Sequence, residues 1–134
     1  MNYREMSGGT LAYLGDGVIS LLVREYLISL GLTKSKQLQE TSVAFVSAKG
    51  QALFLDCLLQ ANLLNEEELM IYKRGRNHKS ETIPKHTDVI TYRKATGLEA
   101  LFGYWHLSSN TERLKQIFEL WRDNVRMTLG LGER

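Results

Sequence analysis

The sequence holds a single cysteine, Cys57, and a single proline, Pro84. One cysteine cannot close an internal disulfide. That excludes a disulfide-stapled scaffold and points to a reducing compartment. Burial as a small hydrophobe is the expected role of Cys57. So little proline excludes collagen-like and proline-rich chains. No apolar run approaches the ~18 residues that span a bilayer; the longest, Val18–Val23, is interrupted by Ser20. The opening residues, MNYREMSGG, lack a long apolar region, so neither a signal peptide nor a membrane association is expected, and the expected location is the cytoplasm. Strand-like alternation, internal repeats and low-complexity tracts are also missing. The formal net charge of +2 is too small to name a partner.

What is present is helical. A chain of 134 residues amounts to one domain. It can bury enough surface to fold without a disulfide or a structural metal. Leu11, Leu14, Val18, Leu22, Leu27 and Leu30 keep helical steps, and Gly31 is a natural stop. Thr33 is positioned to cap a second helix carrying Leu38, Phe45 and Val46. Ser47 is positioned to start a third with Leu53, Leu55, Leu58 and Leu59. Asn65 followed by Glu66, Glu67 and Glu68 reads as an N-cap with acid in the first turn, Glu68 at the capping-box position. This fourth helix is expected to run to about Arg74 and stop at Gly75. The pattern returns from about Asp88 to Leu107, and Thr111 is expected to cap a last helix with Leu114, Ile117, Phe118, Trp121 and Val125. The closing GLGER should fray. The expected fold is all-α, six or so helices around one core.

Charge is unevenly placed. Between residues 72 and 94, Lys73, Arg74, Arg76, Lys79, Lys85, Arg93 and Lys94 stand against Glu81 and Asp88, a net +5, so the rest of the chain carries −3. The centre of this segment, residues 75–87, is a polar loop without apolar period. A basic segment on a mildly acidic body points to an anionic ligand at one face; a merely solvated loop is the competing reading.

Two acids stand in odd settings. Asp16 sits in the strongly apolar run LAYLGDGV, flanked by Gly15 and Gly17. Each glycine costs about 1 kcal/mol against alanine inside a helix, so two of them suggest that another backbone or a ligand comes close. A helix break at Gly15, with Asp16 capping a second piece, explains the same residues. Glu99 is the lone acid of ATGLEALFGYWHL, with Gly97 and Gly103 near it; a glutamate at the edge of an apolar stripe can also simply reach solvent. If the two helices pack face to face, Asp16 and Glu99 could together hold a hard divalent cation. Mg²⁺ takes oxygen ligands of this kind. A basic loop nearby makes the pair a candidate site for cutting a phosphodiester. No histidine sits beside either acid, so no protein general base is assigned. His78 and His86 lack zinc-type spacing with Cys57.

The stretch LAYLGDGV resembles the first signature of the ribonuclease III family, and ATGLEALFGYWHL resembles that family's second acidic block. The length and the loop GRNHKSETIPKHTDVITYR are similar to its short Mini-ribonuclease III branch, which has a catalytic domain and no double-stranded-RNA-binding domain. The likeness covers about residues 8–128. It implies an all-helical ribonuclease III catalytic domain and a homodimer that cuts double-stranded RNA with Mg²⁺, leaving 5′-phosphate and 3′-hydroxyl ends. It further implies a role in maturing the 23S ribosomal RNA precursor, with a ribosomal protein as a possible helper. By position, Asp16 matches the aspartate of the first block and Glu99 the glutamate of the second. Ala12 and Thr96 stand where the long enzymes have two further carboxylates, and Gly9 stands at the leading glutamate. Two carboxylates leave one or two ions per site open. The expected RNA contacts, chosen for charge and position, are Arg74, Arg76, Asn77, Lys79, Lys85 and Arg93. Two other classes compete. One is a non-catalytic RNA-binding scaffold on the same fold. The other is a helical DNA-binding protein, which would need a basic recognition helix rather than a basic loop.

Overall fold

The computed structural model describes residues 2–79, 83 and 85–129. After a 3-10 turn at Tyr3–Glu5 come α1 (Gly8–Ser29), α2 (Ser35–Val46), α3 (Ala48–Gln60), α4 (Glu66–Arg76), α5 (Val89–Leu107) and α6 (Thr111–Leu129). No strand occurs among the described residues. None of their single helices is long and apolar enough to cross a membrane. The all-α expectation holds. The tail GLGER, and Ser80, Glu81, Thr82 and Pro84 of the loop, lie outside the described residues.

Most helix starts are built by side chains that satisfy otherwise unpaired N–H groups. Ser7 accepts from Thr10 N at 3.1 Å, Ser47 from Gly50 N at 3.0 Å, and Asp88 from Thr91 N at 2.9 Å. Asn65 and Glu68 form the expected reciprocal capping box. Gly31, at φ 86°, supplies the left-handed residue that ends α1.

Four local expectations change. The second helix starts at Ser35 after Lys34, whose side chain makes no cap, rather than at Thr33. Thr111 is the first residue inside α6, and Asn110 Oδ1 accepts from Arg113 N at 3.3 Å. Gly75 does not stop α4; it is buried inside the helix, where a Cβ would lie 2.7 Å from Ala100 Cβ and 2.9 Å from Gly97 Cα. Cys57 is only half-buried, and its Sγ accepts from Asn124 Nδ2 at 3.3 Å.

Helix α5 is the axis of the bundle. It packs on α1, α3, α4 and α6, and most of its side chains from Ala95 to Trp105 are buried. Trp121 of α6 fills the other half of the core, stacked on Phe54 with ring centroids 4.9 Å apart and edged by Phe45, Phe102 and Phe118. Glu68 is almost fully buried but fully engaged. It accepts from Trp105 Nε1, Arg113 Nε and Arg113 Nη2, each at 2.8 Å, and from Asn65 N at 3.0 Å. Burial pushes this carboxyl upward, but the bonds from Arg113, Asn65 and Trp105 outweigh it and hold it below the usual carboxylate range.

Candidate active site

Helix α1 runs unbroken through Gly15, Asp16 and Gly17, so Asp16 is a helix-interior residue and caps nothing. The two glycines differ. A Cβ on Gly15 would overlap the main-chain carbonyl oxygen of Glu99, and a Cβ on Gly103 would overlap the carbonyl oxygen of Leu11. Here α1 and α5 therefore cross backbone against backbone, which only glycine permits. Gly17 faces open space, with nothing within 4 Å of a Cβ.

This crossing sets the two acids side by side. Asp16 is exposed, whereas Glu99 is largely withdrawn from water and its carboxyl hydrogen-bonds to that of Asp16. Burial, then the charge of Asp16 and the bond to it, push Glu99 up to about 8. At neutral pH Glu99 therefore tends to keep its proton. The remaining influence on Glu99 comes from the nearby Gln51 amide of α3, which pulls the other way and carries no charge.

Two hard-oxygen donors, held together against their own repulsion and with no built-in cation at Glu99, form a donor set suited to Mg²⁺. They are only two: no group of three or more His, Cys, Asp or Glu side chains that could hold a metal occurs among the described residues. Ala12 is buried and apolar, and Thr96 Oγ1 donates to Tyr92 O at 3.0 Å, so neither position contributes an acid.

The Ribonuclease III domain model matches residues 9–110, which include both helices of this site. The chain belongs to the ribonuclease III family. Within it, many relatives are Mini-ribonuclease 3 proteins. That of Enterococcus faecalis is 47% identical over 116 residues, covering 87% of this chain and 88% of the relative. That of Streptococcus pneumoniae is 45% identical over 112 residues, with 84% and 88% covered. A crystal structure of a protein from Fusobacterium nucleatum is 35% identical, with a TM-score of 0.80 over 90% of this chain and 95% of that one. As a ribonuclease III family member of the Mini-ribonuclease 3 branch, the protein is an endoribonuclease.

The basic candidates are dispersed. Arg74 is turned inward, its Nη1 donating to the carbonyl oxygens of Arg4 and Met6, so it ties down the N-terminal segment and its charge is partly spent there. Arg76 lies over the Tyr72 ring, 5.5 Å from the centroid, and donates to Asn77 Oδ1 at 3.1 Å. Asn77, Lys79, Lys85 and Arg93 are exposed. Lys79 and Arg93 line a small pocket with His78 and Tyr92.

Sequence reasoning missed two residues. Lys49 lines a groove of about 480 Å³ between the starts of α3 and α5, together with His86 and Lys94. Lys94 is paired with Asp56 at 2.9 Å. Gln51 is the other. It sits at the helical period of the buried residues Phe54, Leu55 and Leu58, and a polar residue on an apolar stripe was the signal that could have found it.

Proposed function

We propose that the protein is a Mg²⁺-dependent endoribonuclease that cleaves double-stranded RNA as a homodimer and matures the 23S ribosomal RNA precursor in the cytoplasm, a ribosomal protein helping to present it. The observation that carries the reading is the Asp16–Glu99 pair at the α1–α5 crossing. Asp16 and Glu99 would hold the ion. Its chemistry when bound is to activate a water and to stabilise charge on the phosphoryl oxygens. The chain's own work is to fix two carboxylates, one open to solvent and one shielded. No protein general base is assigned.

Duplex RNA is gripped by shape, phosphates and 2′-hydroxyls, because its major groove is too narrow for side chains. The exposed residues Asn77, Lys79, Lys85 and Arg93, together with Arg76, support phosphate contact beside the site. Support for the dimer comes from α1. Tyr13, 86% exposed, and Leu21, 60% exposed, flank Gly17 on one face next to Asp16. An apolar face left bare in one chain fits a second copy. The 23S precursor and the helper follow from the family resemblance, and the cytoplasm from the lone, unpaired Cys57.

The test is cleavage of a labelled RNA duplex with Mg²⁺ or EDTA, beside Asp16→Asn. Mg²⁺-dependent cutting that the variant loses is the expected result. Duplex binding without cutting by the wild type would instead mark an RNA-binding scaffold.

A further inference from the structure

Gln51 has the address of a core residue and the chemistry of a site residue. It is 2% exposed, on the stripe of α3 that packs against α5. Its Nε2 donates to Val46 O at 3.1 Å, and the side chain lies close enough to the Glu99 carboxyl to pull its titration downward. Its Oε1 has no partner. The Val46 carbonyl fixes which way the amide lies, because a reversed amide would set two acceptors against each other. The N–H side therefore holds the Val46 bond, and a buried acceptor is left over near Glu99. Buried acceptors are normally satisfied, and leaving one unmade is costly. A leucine would fill this stripe without that cost, so packing does not explain the residue.

We propose that Gln51 is the positioning residue of the acidic pair: its amide, anchored on Val46, steadies the Glu99 carboxyl beside Asp16, and its Oε1 accepts a hydrogen bond from a water that the loaded site carries. The inference rests on the metal-dependent reading of Asp16 and Glu99. It concerns an amide that neither the acidic blocks nor the basic loop contains. Outer partners of metal-binding carboxylates orient them, and their loss typically weakens metal binding ~10–100-fold.

The test compares the wild type with Gln51→Met, which keeps the volume but neither donates nor accepts, and Gln51→Asn, which is too short to span Val46 and Glu99. Three quantities are read: Mn²⁺ affinity of the protein alone by calorimetry, kcat and KM on duplex RNA, and the melting temperature without metal. Expected are a ~10–100-fold loss of Mn²⁺ affinity and a comparable fall in kcat. KM is expected to stay within about twofold, and Gln51→Met should melt no lower than the wild type. Mn²⁺ affinity and kcat both within about twofold of wild type would overturn the proposal. So would losses that appear only alongside a lowered melting temperature in both variants, which mark a packing role. An arm without metal separates the two readings. In the metal-free protein the Gln51 side-chain N–H pair should exchange slowly with solvent and move in Glu99→Gln spectra. Exchange as fast as at surface glutamines overturns the inference by itself, whereas a wild type that takes up no Mn²⁺ overturns the metal reading.

Discussion

Asp16 and Glu99 carry the same functional group in opposite settings, one open to water and one withdrawn beside it. Replacing either by its amide, Asp16→Asn or Glu99→Gln, removes an oxygen donor from a pair that would otherwise help stabilise several kcal/mol of transition-state charge, so kcat should fall on the order of 10³-fold. Single-turnover cleavage of a duplex measures it. The raised Glu99 carboxyl also has a stability signature. Its folded pKa, about 8, lies above the ordinary 4.5, so the folded state binds this proton more tightly. Its contribution is complete below about 4.5 and is lost as pH rises through about 8. Glu68 works with the opposite sign, its contribution present above the usual carboxylate range and lost in acid. Melting in EDTA should therefore weaken from pH 5 to pH 8 in the wild type and much less in Glu99→Gln. Equal slopes would show that Glu99 does not titrate in this window. Removing the Glu68 partner with Arg113→Ala leaves a buried charge unpaired and should cost about 3–5 kcal/mol, read by urea unfolding at neutral pH.

Helices are where the sequence was easiest to read. Apolar spacing marked five of the six and the Asn65 cap with its acids marked the fourth, and the Asn65–Glu68 box and the Ser47 cap stand where their chemistry placed them. The errors have one cause. Thr33, Gly75 and Thr111 were assigned by local propensity, and neighbours or residues distant in sequence decided otherwise, most plainly at Gly75, which makes room for Ala100. The acids of the site were legible because they interrupt apolar runs beside glycines. Gln51 was not, because its meaning depends on Val46 and Glu99 lying against it. The glycines of α1 yield a paired prediction. Gly15→Ala drives a methyl into the Glu99 carbonyl and should cost at least about 1–3 kcal/mol while impairing cleavage. Gly17→Ala meets nothing and, with a better helix former in place, should raise the stability of the single chain by about 0.5–1 kcal/mol. Denaturant midpoints at low protein concentration compare the two.

At the scale of the whole molecule, the basic stretch and the bare face of α1 belong to different elements, although Ile83, Val89 and Ile90 also stand exposed within the basic stretch. The basic stretch from Lys73 to Lys94 lies on α4, the following loop and the start of α5, while the bare Tyr13–Leu21 face belongs to α1. Neutralising Lys79, Lys85 and Arg93 together should weaken duplex binding uniformly across sequences. It should also flatten the dependence of log K on log salt, by as much as ~0.9 for each phosphate that the protein then leaves unneutralised. Arg74 should contribute less to that slope than to the melting temperature, since its donors already serve Arg4 and Met6.

The Gly15–Gly103 crossing works as a ruler. Main chain meets main chain there, so the gap between the two acids is set by peptide dimensions and carries almost none of the tolerance that side-chain packing brings. Trp121 packs among Phe45, Phe54 and Phe118 and meets α5 through the Phe102 side chain rather than through the crossing backbone. Trimming that aromatic cluster, as in Trp121→Phe, should make the protein easier to melt yet leave the cutting rate below the transition unchanged. Stability can then drift through the core while the calibration of the site stays where the glycines put it.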